Sequence, residues 1–169
     1  MNPQNLYNNF DLVSKNSFRS LPILCWDFHH EHMKETRTFL SNLKTIEQIA
    51  EQFKWDETNL NISERLKEEV VLITDLKQKI IFASEEIFKM TGYKQTEVLG
   101  NSPKMFQGSE TSALTLSEIR FAIKKRHPFR KTILNYKKNG ETYNCVIEGF
   151  PVFNLKGNLS HFIAFEKAA

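Results

Sequence analysis

Asn139–Gly140 is the feature that most restricts how this 169-residue chain can fold. Asn-Gly supplies two residues that tolerate positive φ, which the tight two-residue hairpin turn demands. It stands between Phe129–Lys137 and Glu141–Phe153, both rich in β-branched and aromatic residues. A second turn signal, Lys156–Gly157–Asn158, separates the latter from Ser160–Glu166, so the C-terminal third predicts three consecutive antiparallel strands. Val70–Thr74, a turn at Asp75–Gln78 and Lys79–Ala83 predict an earlier hairpin with one apolar face. Helical signals fill the gap between the two strand groups. Ser84 is placed to cap a helix ending at Gly92, Thr96–Leu99 is stopped by Gly100, and Ser112 opens a longer helix to about Lys125 bearing Leu114, Leu116, Ile119, Ala122 and Ile123. The fold class that follows is α+β: a five-stranded antiparallel sheet with helices on one face.

The N-terminal third is organised differently. Residues 1–20 are rich in Asn and Ser and read as a lead-in, whereas Leu21–Phe28, with Trp26, is a compact apolar run expected to dock on the core or on a second copy of the chain. From His30 to Phe53 the spacing predicts a helix whose apolar stripe is Phe39, Leu43, Ile46, Ala50 and Phe53, widened by Leu40 and Ile49. That stripe packs either on its own domain or across a homodimer. Trp55–Leu60 reads as a polar connection, and Asn61 with Glu64 as a capping box opening a short helix to about Glu68. The expected division is a helical extension over residues 1–60 and a domain over 61–169.

Composition excludes several function classes. The net charge of +3 is too close to balance to predict binding to nucleic acid or a membrane surface. No stretch approaches the ~20 apolar residues that cross a bilayer. Cys25 and Cys145 are far apart and outside any C-x-x-C pattern, which fits reduced thiols in a cytoplasm. There is no Gly-rich phosphate loop and no nucleophile–base ordering, so no enzyme is expected. His29, His30 and His32 form a weak metal signal that nothing elsewhere completes, and His127 sits in a basic, exposed-looking turn. The 14 phenylalanines point to a core or pocket rich in rings.

Taken in order, Val70–Ala83, Ser84–Tyr93, Gly100–Gly108 (GNSPKMFQG), Ile133–Tyr143 and Phe150–Glu166 resemble the PAS domain family, and most of all its flavin-binding light-oxygen-voltage branch. The resemblance covers about the last hundred residues. It implies a sensory domain with a cavity between helices and sheet. By the same resemblance the cofactor-binding positions would be Gln107, Asn135 and Asn144 on the edge of a flavin mononucleotide, Arg120 and Lys104 on its phosphate, and Glu166 where the branch carries a glutamine. An amide offers both donors and acceptors, which suits a mixed ring edge, and a lysine can replace an arginine only as a point charge.

Two positions depart from the branch. Pro103 stands where the light-reactive cysteine would be, so no thiol adduct can form there, and a proline suits the start of a short helix. Glu166, when ionised, has no hydrogen to donate. Read from the residues alone, Asn135 is otherwise an exposed sheet residue and Arg120 a solvated helix arginine, and Glu166 either faces the cavity or points to solvent. The function that emerges is a stand-alone PAS sensor that takes a small ligand or protein partner and signals through a conformational or dimer change to an unidentified signalling protein. A cysteine-less flavin sensor and a structural dimerisation module without ligand are the alternatives. No output domain is expected beyond the last strand.

Overall fold

The computed structural model describes residues 23–56 and 60–169, with side chains from His30 onward. The lead-in, Leu21, Pro22 and the side chains of residues 23–29, and with them the expected docking of the Leu21–Phe28 run, lie outside that description. Contacts divide the chain into Met1–Glu35 and Thr36–Ala169, and the packing below belongs to the second unit.

The elements are α1 (Ile23–Gln52), α2 (Ile62–Arg65), β1 (Val70–Thr74), β2 (Ile80–Ala83), α3 (Ile87–Thr91), α4 (Gln95–Val98), a 3-10 turn at Pro103–Phe106, α5 (Ala113–Lys125), β3 (Phe129–Tyr136), β4 (Thr142–Phe153) and β5 (Leu159–Ala168). The five strands form one antiparallel sheet in the order β2-β1-β5-β4-β3. Both turns fall where expected, with Gly140 and Gly157 at positive φ, 88° and 73°, but the first is a three-residue loop closed by the Lys137 amide on the Glu141 carbonyl, in which Asn139 does not take positive φ. Ser112 caps α5 by accepting from the Thr115 amide at 3.2 Å. Pro103 occupies the first turn of the 3-10 segment, where its missing N–H costs nothing.

β1 shows why its sequence is a continuous apolar run rather than an alternating one. All five residues are buried, because both faces of the sheet are covered at this strand. On the inner face Val70, Leu72, Ile80, Ala83, Ile87, Val98 and Phe106 form one core beneath α3, α4 and the 3-10 turn. On the outer face Val71, Ile73, Phe82, Val152, Ile163 and Phe165 pack with Ile46, Trp55 and Leu66. The hairpin therefore has two apolar faces, not one.

The outer core settles where part of the helical stripe goes. Phe39, Leu43, Ile49 and Ala50 pack around buried Ile46 against the sheet of the same chain, while Leu40 stays exposed. The connection after α1 is less polar than its composition suggests. Trp55 is buried, its Nε1 donates to His161 Nδ1 at 3.1 Å, and the Phe53 ring meets the same imidazole edge-on at 4.4 Å between centroids. Two expected caps are not made. Asn61 takes a left-handed conformation without a side-chain bond, and the Ser84 hydroxyl, fully buried, accepts from the Val71 amide instead of capping α3.

Replacing Ile46 with Glu places a carboxylate in the outer core and is expected to destabilise the fold by more than about 3 kcal/mol, whereas Leu40→Glu, compared at dilutions where the chain is monomeric, should cost less than about 0.5 kcal/mol. Urea unfolding followed by tryptophan fluorescence distinguishes the two. Equal effects would contradict the helix placement.

Candidate functional site

The cavity forms where α5 crosses the inner face of β3, β4 and β5. The α5 stripe Leu116, Ile119 and Ile123 faces the sheet at helical spacing, yet none of the helix's residues is fully buried. That combination arises because the stripe borders open space rather than packed side chains. The space amounts to about 120 Å³, walled chiefly by apolar groups that include Leu72, Phe106, Phe129, Ile133, Ile147 and Ala164. Gly149 on β4 lets the Phe129 ring lie flat over it; a Cβ there would collide with the ring.

Local chemistry aims the polar groups. The segment carrying Gln107 is clipped to β3: Thr111 Oγ1 accepts from the Gly108 amide at 3.0 Å and donates to the Leu134 carbonyl at 2.8 Å. The Tyr136 hydroxyl accepts from the Glu110 amide at 3.0 Å, and Gly108 leaves room for its ring. Gln107 is thereby held on the helical side of the cavity and Asn135, 3% exposed, on the sheet side.

Five of the six expected positions, Gln107, Asn135, Arg120, Lys104 and Glu166, line this one cavity. Arg120 and Lys104 are exposed, and no ion pair involves either among the described residues. Asn144 is not brought to it. Its side chain is exposed and it pairs with Leu134, one position out of phase with Asn135. Side chains alternate along a strand, so the inward series on β4 is Tyr143, Cys145, Ile147 and Gly149.

Glu166 faces inward and is buried, with Cys145 Sγ 3.8 Å from its Oε2. Burial raises its pKa from the ordinary 4.5 to about 7, the Cys145 contact opposing the rise. Burial, reinforced by Glu166, also pushes the Cys145 thiol up, so this free cysteine is a protonated packing group rather than a nucleophile. The Tyr143 hydroxyl is pushed up by burial and by the same two acids. Asn135 lies close enough to counter this, although the Tyr143 hydroxyl is buried without a hydrogen bond of ordinary geometry. Sequence reasoning singled out Glu166 but passed over Tyr143 and Cys145 beside it, because neither forms a motif. Among the described residues, no three His, Cys, Asp or Glu side chains are grouped to hold a metal ion, and His127 is an exposed residue after α5.

An antiparallel sheet with a helix-roofed cavity on one face defines a sensory-domain architecture. The PAS domain family model matches residues 68–167, and the chain belongs to that family. Within it the similarity is to the light-oxygen-voltage branch. The chain is 38% identical over 88 residues to Protein TWIN LOV 1 of Arabidopsis thaliana, covering 52% of this chain and 22% of that protein. It is 36% identical over 85 residues to the blue-light-activated histidine kinase of Brucella abortus, covering 50% of this chain and 17% of that one. The chain thus spans about a fifth of the curated relatives it matches. Among solved structures, the light-state LOV domain of Aureochrome1 superposes with a TM-score of 0.59 at 25% identity, covering 66% of this chain and 89% of that one. The light-state dimer of the fungal photoreceptor Vivid gives 0.56 at 26% identity, covering 59% and 76%. No described helix is long and apolar enough to cross a membrane.

The flavin of that branch can be tested against these side chains. The amides of Gln107 and Asn135 and the cations at the rim suit a flavin's edge and phosphate, but the space does not. About 120 Å³ falls well below the roughly 300 Å³ at which sites for drug-sized ligands begin. A three-ring system would need this cavity to widen.

The raised pKa of Glu166 makes stability depend on pH. The folded chain holds this proton more tightly than the unfolded chain, so the contribution is complete below pH 4.5 and is lost as pH rises through about 7. Two and a half units correspond to about 3 kcal/mol. His161, whose pKa is lowered by burial against a small opposing pull from Asp75, acts in the other sense, losing stability as pH falls below 6.5. The substitution Glu166→Gln isolates the carboxyl: in urea unfolding at pH 5 and pH 8, the variant should gain on the wild type at pH 8 relative to pH 5 by about 3 kcal/mol. An unchanged difference between the two pH values would place the carboxyl in contact with solvent.

Proposed function

We propose that this chain is a non-catalytic PAS sensor of a cytoplasmic, prokaryotic signalling type, in which occupancy of the α5 cavity by a small molecule shifts the sheet and the N-terminal helix. Residues 61–169 sense, and residues 1–60 are a helical extension that presents the change to a partner protein. The observation that carries this reading is the half-buried apolar stripe of α5 standing over a cavity set with Asn135, Gln107 and Glu166. A domain whose role was structural alone would have filled that space, since packed interiors leave few voids larger than water.

A route outward exists in β5. Glu166 points into the cavity and its neighbour Phe165 into the outer core. The Arg65 guanidinium lies 3.7 Å over the Phe165 ring, and it binds Glu69 at 2.6 Å and Glu148 at 2.9 Å. Displacement of β5 by a ligand therefore reaches α2, the segment that follows α1. A change at a cavity alters an output only through such a differential contact.

The same reading includes a homodimer through the N-terminal segment. Leu40 is left exposed on α1, and the related fungal photoreceptor has been described as a dimer. A flavin-dependent light or redox sensor without the cysteine is the second reading, supported by the blue-light relatives and by the shared lining of Gln107, Asn135, Arg120 and Lys104. It requires the cavity to widen.

Two measurements test the proposal together. Purified protein should be colourless and dimeric by light scattering, and Leu40→Glu should yield a folded monomer; stoichiometric yellow flavin would favour the second reading, and a Leu40→Glu dimer would move the interface elsewhere. Filling the cavity with Ala164→Leu should change amide exchange over residues 62–69, and Arg65→Ala should abolish that change. Exchange that ignores the cavity would remove the proposed route.

A further inference from the structure

Four properties of the cavity together restrict what it can hold. Its volume of about 120 Å³ is close to the roughly 150 Å³ apolar cavity that accepts benzene, so the occupant is one ring in size. Its walls are flat or branched apolar groups, with the Phe129 ring spread over Gly149 on one side and the Ile119 and Ile123 side chains of α5 on the other. Its buried polar wall groups are neutral or weakly acidic: the Asn135 amide, 3% exposed, the Glu166 carboxyl, 4% exposed, and the Thr74 hydroxyl, with the half-buried Gln107 amide on the helical side. Both cations, Arg120 and Lys104, are exposed at the rim and reach water.

An amide in this setting presents one donor face and one acceptor face, and a buried polar group left without partners costs about 1–3 kcal/mol. Beside the Asn135 amide, among the described residues, the Tyr143 hydroxyl is a buried side-chain polar atom without a hydrogen-bond partner, and Asn135 lies close enough to oppose the rise of that hydroxyl's pKa. Purely apolar occupants would offer the Asn135 amide no partner from the cavity side. Anionic occupants would carry a charge into low-dielectric space beside a carboxyl that already resists ionisation. Cations would find the single acid Glu166, but also the apolar wall and the two rim cations across their path.

We infer that the α5 cavity is a receptor site for a small, neutral, single-ring molecule that carries a hydrogen-bond donor and an acceptor on its rim, of the lactam or ring-amide class. The ring lies between Phe129 and the α5 stripe, and its polar rim bonds the Asn135 amide, with the Glu166 carboxyl as a further donor when protonated. This deepens the sensor reading above and rests on it, since it names the ligand class of the same cavity.

Pyridin-2-one is the probe, compared with benzene, benzoate and flavin mononucleotide on the full chain by calorimetric titration and thermal unfolding. Pyridin-2-one should bind saturably and raise Tm by about 3 °C at ten times its Kd. Asn135→Leu should weaken it about tenfold or more while leaving benzene binding intact, and Ala164→Leu should abolish binding of both while remaining folded. Benzene binding as tightly as pyridin-2-one, with no effect of Asn135→Leu, would overturn the ring-amide class and keep the sensor cavity. Preferential benzoate binding would place the recognition at Arg120 and Lys104 instead. Stoichiometric flavin binding would overturn the size limit and leave a sensor of the second reading. Binding of none of the four, with Ala164→Leu simply more stable, would overturn the sensor cavity itself.

Discussion

The alternation of side chains along β5 is the constraint on which this protein depends. Because successive residues point to opposite faces, Phe162, Ala164 and Glu166 border the cavity while Ile163 and Phe165 belong to the outer core. A one-residue slip would exchange the two sets, putting a carboxylate under α1 and a phenylalanine ring in the cavity. The antiparallel pairing of β5 with both β1 and β4 fixes that register from two sides. The cavity face and the outer-core face are thus parts of one strand.

Electrostatics divide the cavity in a corresponding way. Arg120 and Lys104 remain at the rim in water, where charge costs little, while Glu166 in the cavity wall, and Cys145 and Tyr143 beside it, are held towards their protonated forms by burial. On the outer face the order is reversed. Arg65, stacked on Phe165 and bonded to Glu69 and Glu148, is an ionised group stabilised by close partners at the protein surface. The inner face therefore favours neutral chemistry, and the outer face is bound together by charge.

The parts legible in the sequence were those governed by local rules. The Asn139–Gly140 turn, the Ser112 cap and the Pro103 start each follow from what one residue permits its own backbone to do. The parts that were not legible depend on partners distant in sequence. Trp55 looked like part of a polar connection until His161, more than a hundred residues later, supplied its hydrogen-bond acceptor. Ser84 looked like a helix cap until the Val71 amide claimed its hydroxyl. Asn144 was placed one position from the inward register because the expectation matched residue type and not strand phase; Cys145, which does face inward, carried no motif to draw notice. The gathering of Gln107, Asn135, Arg120, Lys104 and Glu166 around one space was anticipated through family resemblance, and only the geometry shows how small that space is.

The central claim is that α5 roofs an open apolar space and not a filled core. Xenon tests this without assuming any ligand chemistry, because it enters apolar cavities of this size and perturbs the methyl groups lining them. In a methyl-labelled sample under xenon pressure, the isoleucine signals of Ile119, Ile123, Ile133 and Ile147 should shift saturably, while those of Ile46 and Ile73 on the outer core should not. Isoleucine signals that stay unmoved on both faces would show that the inner face is packed, and would contradict the account.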